Sequence, residues 1–147
     1  MSDIVEFKGE HRWLSNFSDA KVSYEGVEYP TVEHAYQASK TLVADERRDI
    51  CAQPTPVLAK KRGRKVTMRE DWDQVKIPIM EDLLSQKFSD PVLAKKLVET
   101  GDSQLVEGNW WGDVFWGVCR GEGQNNLGKI LMKIRERHTR PCLPSHV

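Results

Sequence analysis

The sequence predicts an α+β fold: a compact, predominantly helical single domain carrying a small β-hairpin. Three observations lead there. The chain has 147 residues, enough for one domain with a core of its own. Six stretches either repeat apolar residues at helical spacing or open on helix-start residues. Residues 22–29, by contrast, alternate around a tight turn. The domain is expected over residues 1–138, with 139–147 as a loose tail.

The elements follow in order. Residues 4–7 alternate weakly and predict a short strand. Residues 13–17 read as a loop flanked by Trp13 and Phe17. The hairpin turns on Glu25-Gly26. Pro30, whose fixed φ suits a helix entry, and Thr31, whose hydroxyl can take a free backbone N–H, open the first helix. No breaker appears before Asp45, and Val32, Ala35, Tyr36, Leu42 and Val43 form its apolar arc. Residues 45–52 make a short helix. Thr55-Pro56 opens another that ends near Gly63. Asp71 and Gln74 form a capping pair for the longest helix, along which Val75, Ile79, Met80, Leu83, Leu84 and Phe88 recur down to Ser89. Asp90-Pro91 opens a further helix that stops at Thr100-Gly101, with glycine just past its end. Residues 114–119 are a candidate strand. A last helix buries Leu127, Ile130, Leu131 and Ile134, with Asn125 or Asn126 as its N-cap.

Composition narrows the functions. Lys plus Arg number 22 and Asp plus Glu number 22, so no net field draws the chain to nucleic acid or membrane. A charged fraction of 30% and a mean hydropathy of −0.58 fit a soluble globular protein. The apolar runs fall far short of a membrane span, and the acidic start lacks the apolar stretch of a signal peptide. Cys51, Cys119 and Cys142 show no paired spacing, so reduced thiols and a cytoplasmic protein are expected. His11, His34, His138 and His146 lack metal-ligand spacing, and neither a metal nor a cofactor is expected.

The chemistry-bearing residues cluster in a few places. On a wheel, Glu33, Gln37 and Lys40 fall within about 60°, with Glu33 and Lys40 about 10 Å apart along the axis. Wheel geometry alone favours a solvated face for that row. Residues 60–65, Lys-Lys-Arg-Gly-Arg-Lys, are the one local excess of charge, and Gly63-Arg64 is its best candidate for close approach to a phosphate. Trp72 is open between a core aromatic and a stacking surface. Trp110, Trp111 and Trp116 surround Asp113, an arrangement suited to a flat base. Residues 123–129 match a phosphate loop except that Ile130 stands where Ser or Thr would hold Mg²⁺. Gly121-Glu-Gly123 begins a dinucleotide fingerprint, but Asn126 stands at the third glycine. Neither is a signature. What remains is a glycine-rich loop entering a helix, either an anion site or a plain N-cap.

Together these stretches resemble the NADAR family, which includes the YbiA-type N-glycosidases. The resemblance runs through Leu14-Ser-Asn-Phe17, Tyr29-Pro-Thr-Val-Glu-His-Ala-Tyr-Gln-Ala-Ser-Lys40 and Ala59-Lys-Lys-Arg-Gly-Arg64. It continues through Arg69-Glu-Asp-Trp72, Leu105-Val-Glu107, Trp111-Gly-Asp113, Trp116-Gly117 and Gly123-Gln-Asn-Asn-Leu-Gly128. It implies a largely helical α+β domain that cleaves an N-glycosidic bond to ribose. It implies Glu33 as the catalytic glutamate, Lys40 as a lysine that can form an imine with opened ribose or give a proton to the base, and Trp72 as a site tryptophan.

The residue types suit that chemistry. Breaking a C1′–N bond builds positive charge on ribose, which a carboxylate such as Glu33 stabilises or relieves by activating water. Candidate substrate-binding residues are Asn16, Phe17, Gln37, Gly63, Arg64, Trp72, Trp111, Asp113, Trp116, Asn125, Asn126 and Gly128. The expected partner is an ADP-ribose-containing or phosphoribosyl small molecule, with ADP-ribosylated DNA or RNA as a further candidate. Three functions compete: removal of ADP-ribose from ADP-ribosylated guanine, which is preferred; clearance of phosphorylated riboflavin-biosynthesis intermediates; and a non-catalytic ADP-ribose or NAD sensor.

Overall fold

The structure is a computed structural model and describes residues 2–140. Its organising element is α1 (Val32–Ser39), a helix with every residue buried. Around it pack α2 (Ala44–Cys51), α3 (Pro56–Gly63), α4 (Trp72–Lys87) and an antiparallel hairpin of β1 (Val22–Tyr24) and β2 (Val27–Tyr29). A second group, α5 (Pro91–Glu99) and α6 (Asn126–Thr139), leans on α4 through α6. Between them the chain forms a short parallel pair, β3 (Gly108–Asn109) and β4 (Val118–Cys119). The fold is the mostly helical α+β domain that the sequence predicts. No helix among the described residues is long and apolar enough to cross a membrane.

Local chemistry sets these boundaries. Thr31 Oγ1 accepts the His34 N–H at 3.0 Å, Thr55 Oγ1 that of Leu58 at 3.2 Å, and Asp90 Oδ2 that of Leu93 at 3.0 Å, each satisfying a free donor of a first turn. Glu25 and Gly26 take φ of 47° and 83°, the left-handed pair that a two-residue hairpin requires. The apolar face of α4 is buried as its spacing predicts, with Met80, Leu83, Leu84 and Phe88 in the core.

Six expectations need correction. The first helix ends at Ser39, so Leu42 and Val43 leave its apolar arc and are 66% and 42% exposed. It stops because Arg69 takes its last carbonyls: the Arg69 N–H donates to Lys40 O at 2.8 Å and Nη1 to Ser39 O at 3.4 Å. Asp71 caps nothing, because its carboxylate pairs with Arg69 at 2.6 and 3.1 Å. Residues 4–7 form no strand; Ile4 makes one isolated bridge to Leu105. Of the expected strand over 114–119, only Val118 and Cys119 pair, because the preceding residues turn around the Asp113 carboxylate. A 3-10 helix at Gly9–Leu14 overlaps the stretch read as loop. The expected tail begins inside α6, which reaches Thr139. Residues 141–147, with Cys142 and His146, lie outside the described residues.

Candidate active site

One cleft of about 370 Å³ opens where α1, the 3-10 helix with its following loop, α3 and residues 105–116 meet. From α1 it receives Glu33, Tyr36 and Gln37, and from its C-cap Lys40. These face inward because α1 is surrounded, so the polar row on its edge becomes a cleft wall rather than a solvated face.

Glu33 is 6% exposed. Gln37 Nε2 donates to its Oε1 at 3.1 Å, and its own N–H donates to Asn16 O at 3.2 Å. Burial pushes the Glu33 carboxyl above its usual range, opposed by the Gln37 bond and by the charges of Lys60 and Lys40. Burial pulls the Lys40 amine down, opposed by the charge of Glu33 and reinforced by Lys60 and Arg64. The acid therefore holds its proton longer and the amine gives its own up sooner than either would in water.

Aromatic rings brace this wall. Trp116 Nε1 donates to the Tyr36 hydroxyl at 2.9 Å, and the Tyr36 ring lies 5.2 Å from Trp72 and 5.5 Å from Trp116. Burial raises the Tyr36 hydroxyl well above its ordinary value, so it stays protonated. Trp111 and Phe17 border the mouth, with Lys60 Nζ 5.1 and 6.0 Å from their rings. Lys8 and Arg12, both exposed, add two more cations to the lining. Among the described residues, Lys8, Arg12 and Lys60 pair with no carboxylate.

Residues 105–116 contribute Glu107, Gly108, Trp111, Asp113 and Trp116. Asp113 Oδ1 accepts the N–H groups of Phe115 and Trp116 at 3.1 and 2.9 Å, which fixes the turn that presents Trp116. Glu107 Oε2 accepts from Asn109 Nδ2 at 3.1 Å. Burial pushes its carboxyl up to about 7 against that bond, helped by the charge of Asp113.

Two buried acceptors, Gln37 Oε1 and Asn16 Oδ1, have no hydrogen-bond partner among the described residues. Both side chains line the cleft. An orphaned buried oxygen is costly; a ligand hydroxyl or amino group would satisfy Asn16 Oδ1, whereas Gln37 Oε1 packs against Gly63.

The cleft thus gathers Asn16, Phe17, Glu33, Gln37, Lys40, Trp111, Asp113 and Trp116. The other expected site residues stand behind it or away from it. Gly63 backs Gln37, since a β-carbon at 63 would strike that side chain. Trp72 is buried against Tyr36. Arg64 is the exposed C-cap of α3. Asn125, left-handed at φ 54°, holds Glu107 N and Leu105 O at 3.0 and 2.9 Å. Asn126 holds Phe115 O at 3.0 Å. Gly128 lets α6 pass close to Leu105 O and the Asn125 side chain. The glycine-rich loop is therefore tied to protein groups. Sequence reasoning missed Lys8, Arg12, Tyr36, Lys60 and Glu107. Three of them carried a signal: Tyr36, Lys60 and Glu107 lie in matched motifs, and Lys60 opens the basic run.

A buried carboxyl and a half-buried amine in an aromatic cleft, bordered by cations, make a candidate site for an enzyme acting on a nucleotide-like small molecule. The comparisons agree. The NADAR domain matches residues 6–138. N-glycosidase YbiA of Escherichia coli (strain K12) is 35% identical over 128 residues, covering 84% of this chain and 79% of the relative. A riboflavin biosynthesis protein of Vibrio vulnificus (strain YJ016) is 32% identical over 130 residues, covering 86% of this chain and 35% of the relative. The NMR structure of the E. coli protein YbiA superposes with a TM-score of 0.80 at 32% identity, covering 93% of this chain and 86% of that one. The chain belongs to the NADAR family.

Proposed function

We propose that this N-glycosidase removes ADP-ribose from ADP-ribosylated guanine, carried on a nucleotide or on DNA or RNA, and works in the cytoplasm. The observation that carries the reading is the juxtaposition of Glu33 and Lys40 on one edge of α1, both opening into a cleft whose mouth holds Lys8, Arg12 and Lys60. Ribose C1′ would sit by the two α1 side chains, the base against Trp111 and Trp116, and the diphosphate among the three cations.

Charge develops on C1′ as the bond to nitrogen breaks, and the Glu33 carboxylate stabilises it in a site where water screens little. The Lys40 amine, more often neutral than an exposed lysine, adds to C1′ and opens the sugar to an imine that water then hydrolyses. Asn16 Oδ1 accepts from a ribose hydroxyl.

A second reading is clearance of a phosphorylated ribosylamino-pyrimidine, favoured by the likeness to the Vibrio riboflavin biosynthesis protein. It asks for a single phosphate contact where the cleft offers three cations. The test is an assay of wild type, Glu33→Gln and Lys40→Ala on guanine-ADP-ribosylated DNA and on the ribosylamino-pyrimidine phosphate, with borohydride added in parallel. ADP-ribose release by wild type, lost in both variants, with a borohydride-stable adduct on Lys40, is expected. Base release from the pyrimidine alone would transfer the assignment to the second reading. ADP-ribose binding with no release from either substrate would make the protein a sensor.

A further inference from the structure

We propose that Glu107 is a second catalytic carboxyl of this cleft, the acid that gives a proton to the departing base. The inference rests on the reading that an N-glycosyl bond is cut here, and it adds the group that deals with the leaving side.

Glu107 reaches the cleft from residues 105–116, not from the helix that carries Glu33 and Lys40. Its carboxyl is fixed from behind. Oε2 accepts from Asn109 Nδ2 at 3.1 Å, and that amide is itself anchored, donating to Asp113 O at 2.8 Å and accepting from Asp113 N at 3.0 Å. The Glu107 N–H donates to Asn125 Oδ1 at 3.0 Å. Gly117 packs against the carboxyl so closely that a β-carbon there would overlap Oε2. Among the described residues Oε1 has no protein partner. One oxygen is thus held while the other is offered to the cleft, as a proton donor must be.

The chemistry needs such a group. A base nitrogen leaving C1′ without a proton departs as an anion and is a poor leaving group. Glu33 and Lys40 work at C1′, so neither resolves this. A carboxyl raised by burial to about 7 is protonated in a substantial fraction near neutrality, yet still acidic enough to transfer the proton. The step balances. The Lys40 nitrogen bonds to C1′ as the C1′–N bond breaks, and the bonding pair stays on the base, which takes the Glu107 proton. The proton shed by Lys40 passes to the Glu33 carboxylate. Water then adds to C1′ and frees Lys40, and Glu33 and Glu107 return to their starting protonation through solvent. The sum is one water consumed for one sugar and one base released.

Two readouts test this. The first is the pH dependence of kcat for wild type and Glu107→Gln, on whichever of the two substrates wild type turns over. We expect kcat to fall about 10²- to 10⁴-fold in the variant, with KM within about threefold, and the alkaline limb near pH 7 to vanish. A variant within about threefold of wild type, one impaired through KM alone, or one retaining that limb would overturn the proposal. The second readout is a carbon-13 NMR titration of glutamate side-chain carboxyls in the intact chain, with Glu107 assigned by its absence in Glu107→Gln. A midpoint near 7 is expected, and one in the ordinary carboxylate range would overturn the proposal whatever the kinetics. Wild type that releases nothing from either substrate would defeat the function proposed above and this proposal with it, whereas release by wild type with an unimpaired Glu107→Gln would defeat this proposal alone.

Discussion

Gln37 donates to Glu33 Oε1 at 3.1 Å across one turn of α1, and it is held there from outside the helix by Gly63. A β-carbon at position 63 would overlap the Gln37 side-chain oxygen. Gly63 has no positive φ, so glycine is needed for space and not for backbone freedom. Gly63→Ala should therefore act on Glu33 through Gln37. The expected result is at least a tenfold loss of kcat and about 1–3 kcal/mol of stability from overpacking. Activity and urea denaturation of the same preparation check it, and unchanged activity with lowered stability would mean that the Gln37 bond does not orient Glu33.

The tryptophans divide into supports and contacts. Trp72 is 7% exposed and packs on Tyr36, whereas Trp111 lines the cleft and is 44% exposed. Trp72→Ala should cost about 3–5 kcal/mol, the range for removing a buried aromatic. Trp111→Ala should cost under about 1 kcal/mol yet raise KM. Thermal denaturation beside steady-state kinetics separates them; a stable Trp72→Ala protein with only KM altered would make Trp72 a substrate contact instead.

Lys87 carries a pH dependence. It is 2% exposed, and its Nζ donates to Ser15 O at 2.8 Å and Ser18 Oγ at 2.7 Å, pinning the loop that holds Asn16 and Phe17. Burial, with the charge of Arg12, pulls its amine from 10.5 down to about 7. The unfolded chain then binds more protons between about pH 7 and 10.5, so stability climbs with pH across that window, and below it the cost of burying the charged amine is fully in force. Lys87→Met should lack this slope. Urea denaturation at several pH values should show wild type gaining on the variant as pH rises, and parallel curves would refute a depressed Lys87.

The parts legible in the sequence were those governed by local chemistry. Thr31, Thr55 and Asp90 announce helix starts with their own side chains, and Glu25-Gly26 announces its turn. What stayed hidden depended on distant partners. Asp71 reads as a cap until Arg69 takes its carboxylate, and α1 reads as longer until Arg69 takes its last carbonyls. The wheel placed Glu33, Gln37 and Lys40 together correctly, but that their edge is buried follows from the elements packed around α1. Lys8 and Arg12 reach the cleft through a 3-10 helix that has no periodic signal.

The basic run at residues 60–65 gives the sharpest remaining test, because two of its members make opposite predictions. Residues Gly63 and Arg64 were the sequence's candidates for phosphate, yet Arg64 is exposed at the end of α3 and does not border the cleft. Lys60, one turn earlier, does, together with Lys8 and Arg12. A charge-assisted hydrogen bond to phosphate contributes about 1.5–3 kcal/mol, and each 1.4 kcal/mol is about a factor of ten. Lys60→Ala and Arg12→Ala should each raise KM about tenfold or more, and the increase should shrink at high salt because these cations are solvent-accessible. Arg64→Ala should leave KM within about twofold. If Arg64→Ala instead raises KM more than Lys60→Ala does, the phosphates lie beyond the cleft mouth along α3, and the pose with C1′ beside Glu33 and Lys40 would have to be redrawn with the base deeper and the phosphates further out.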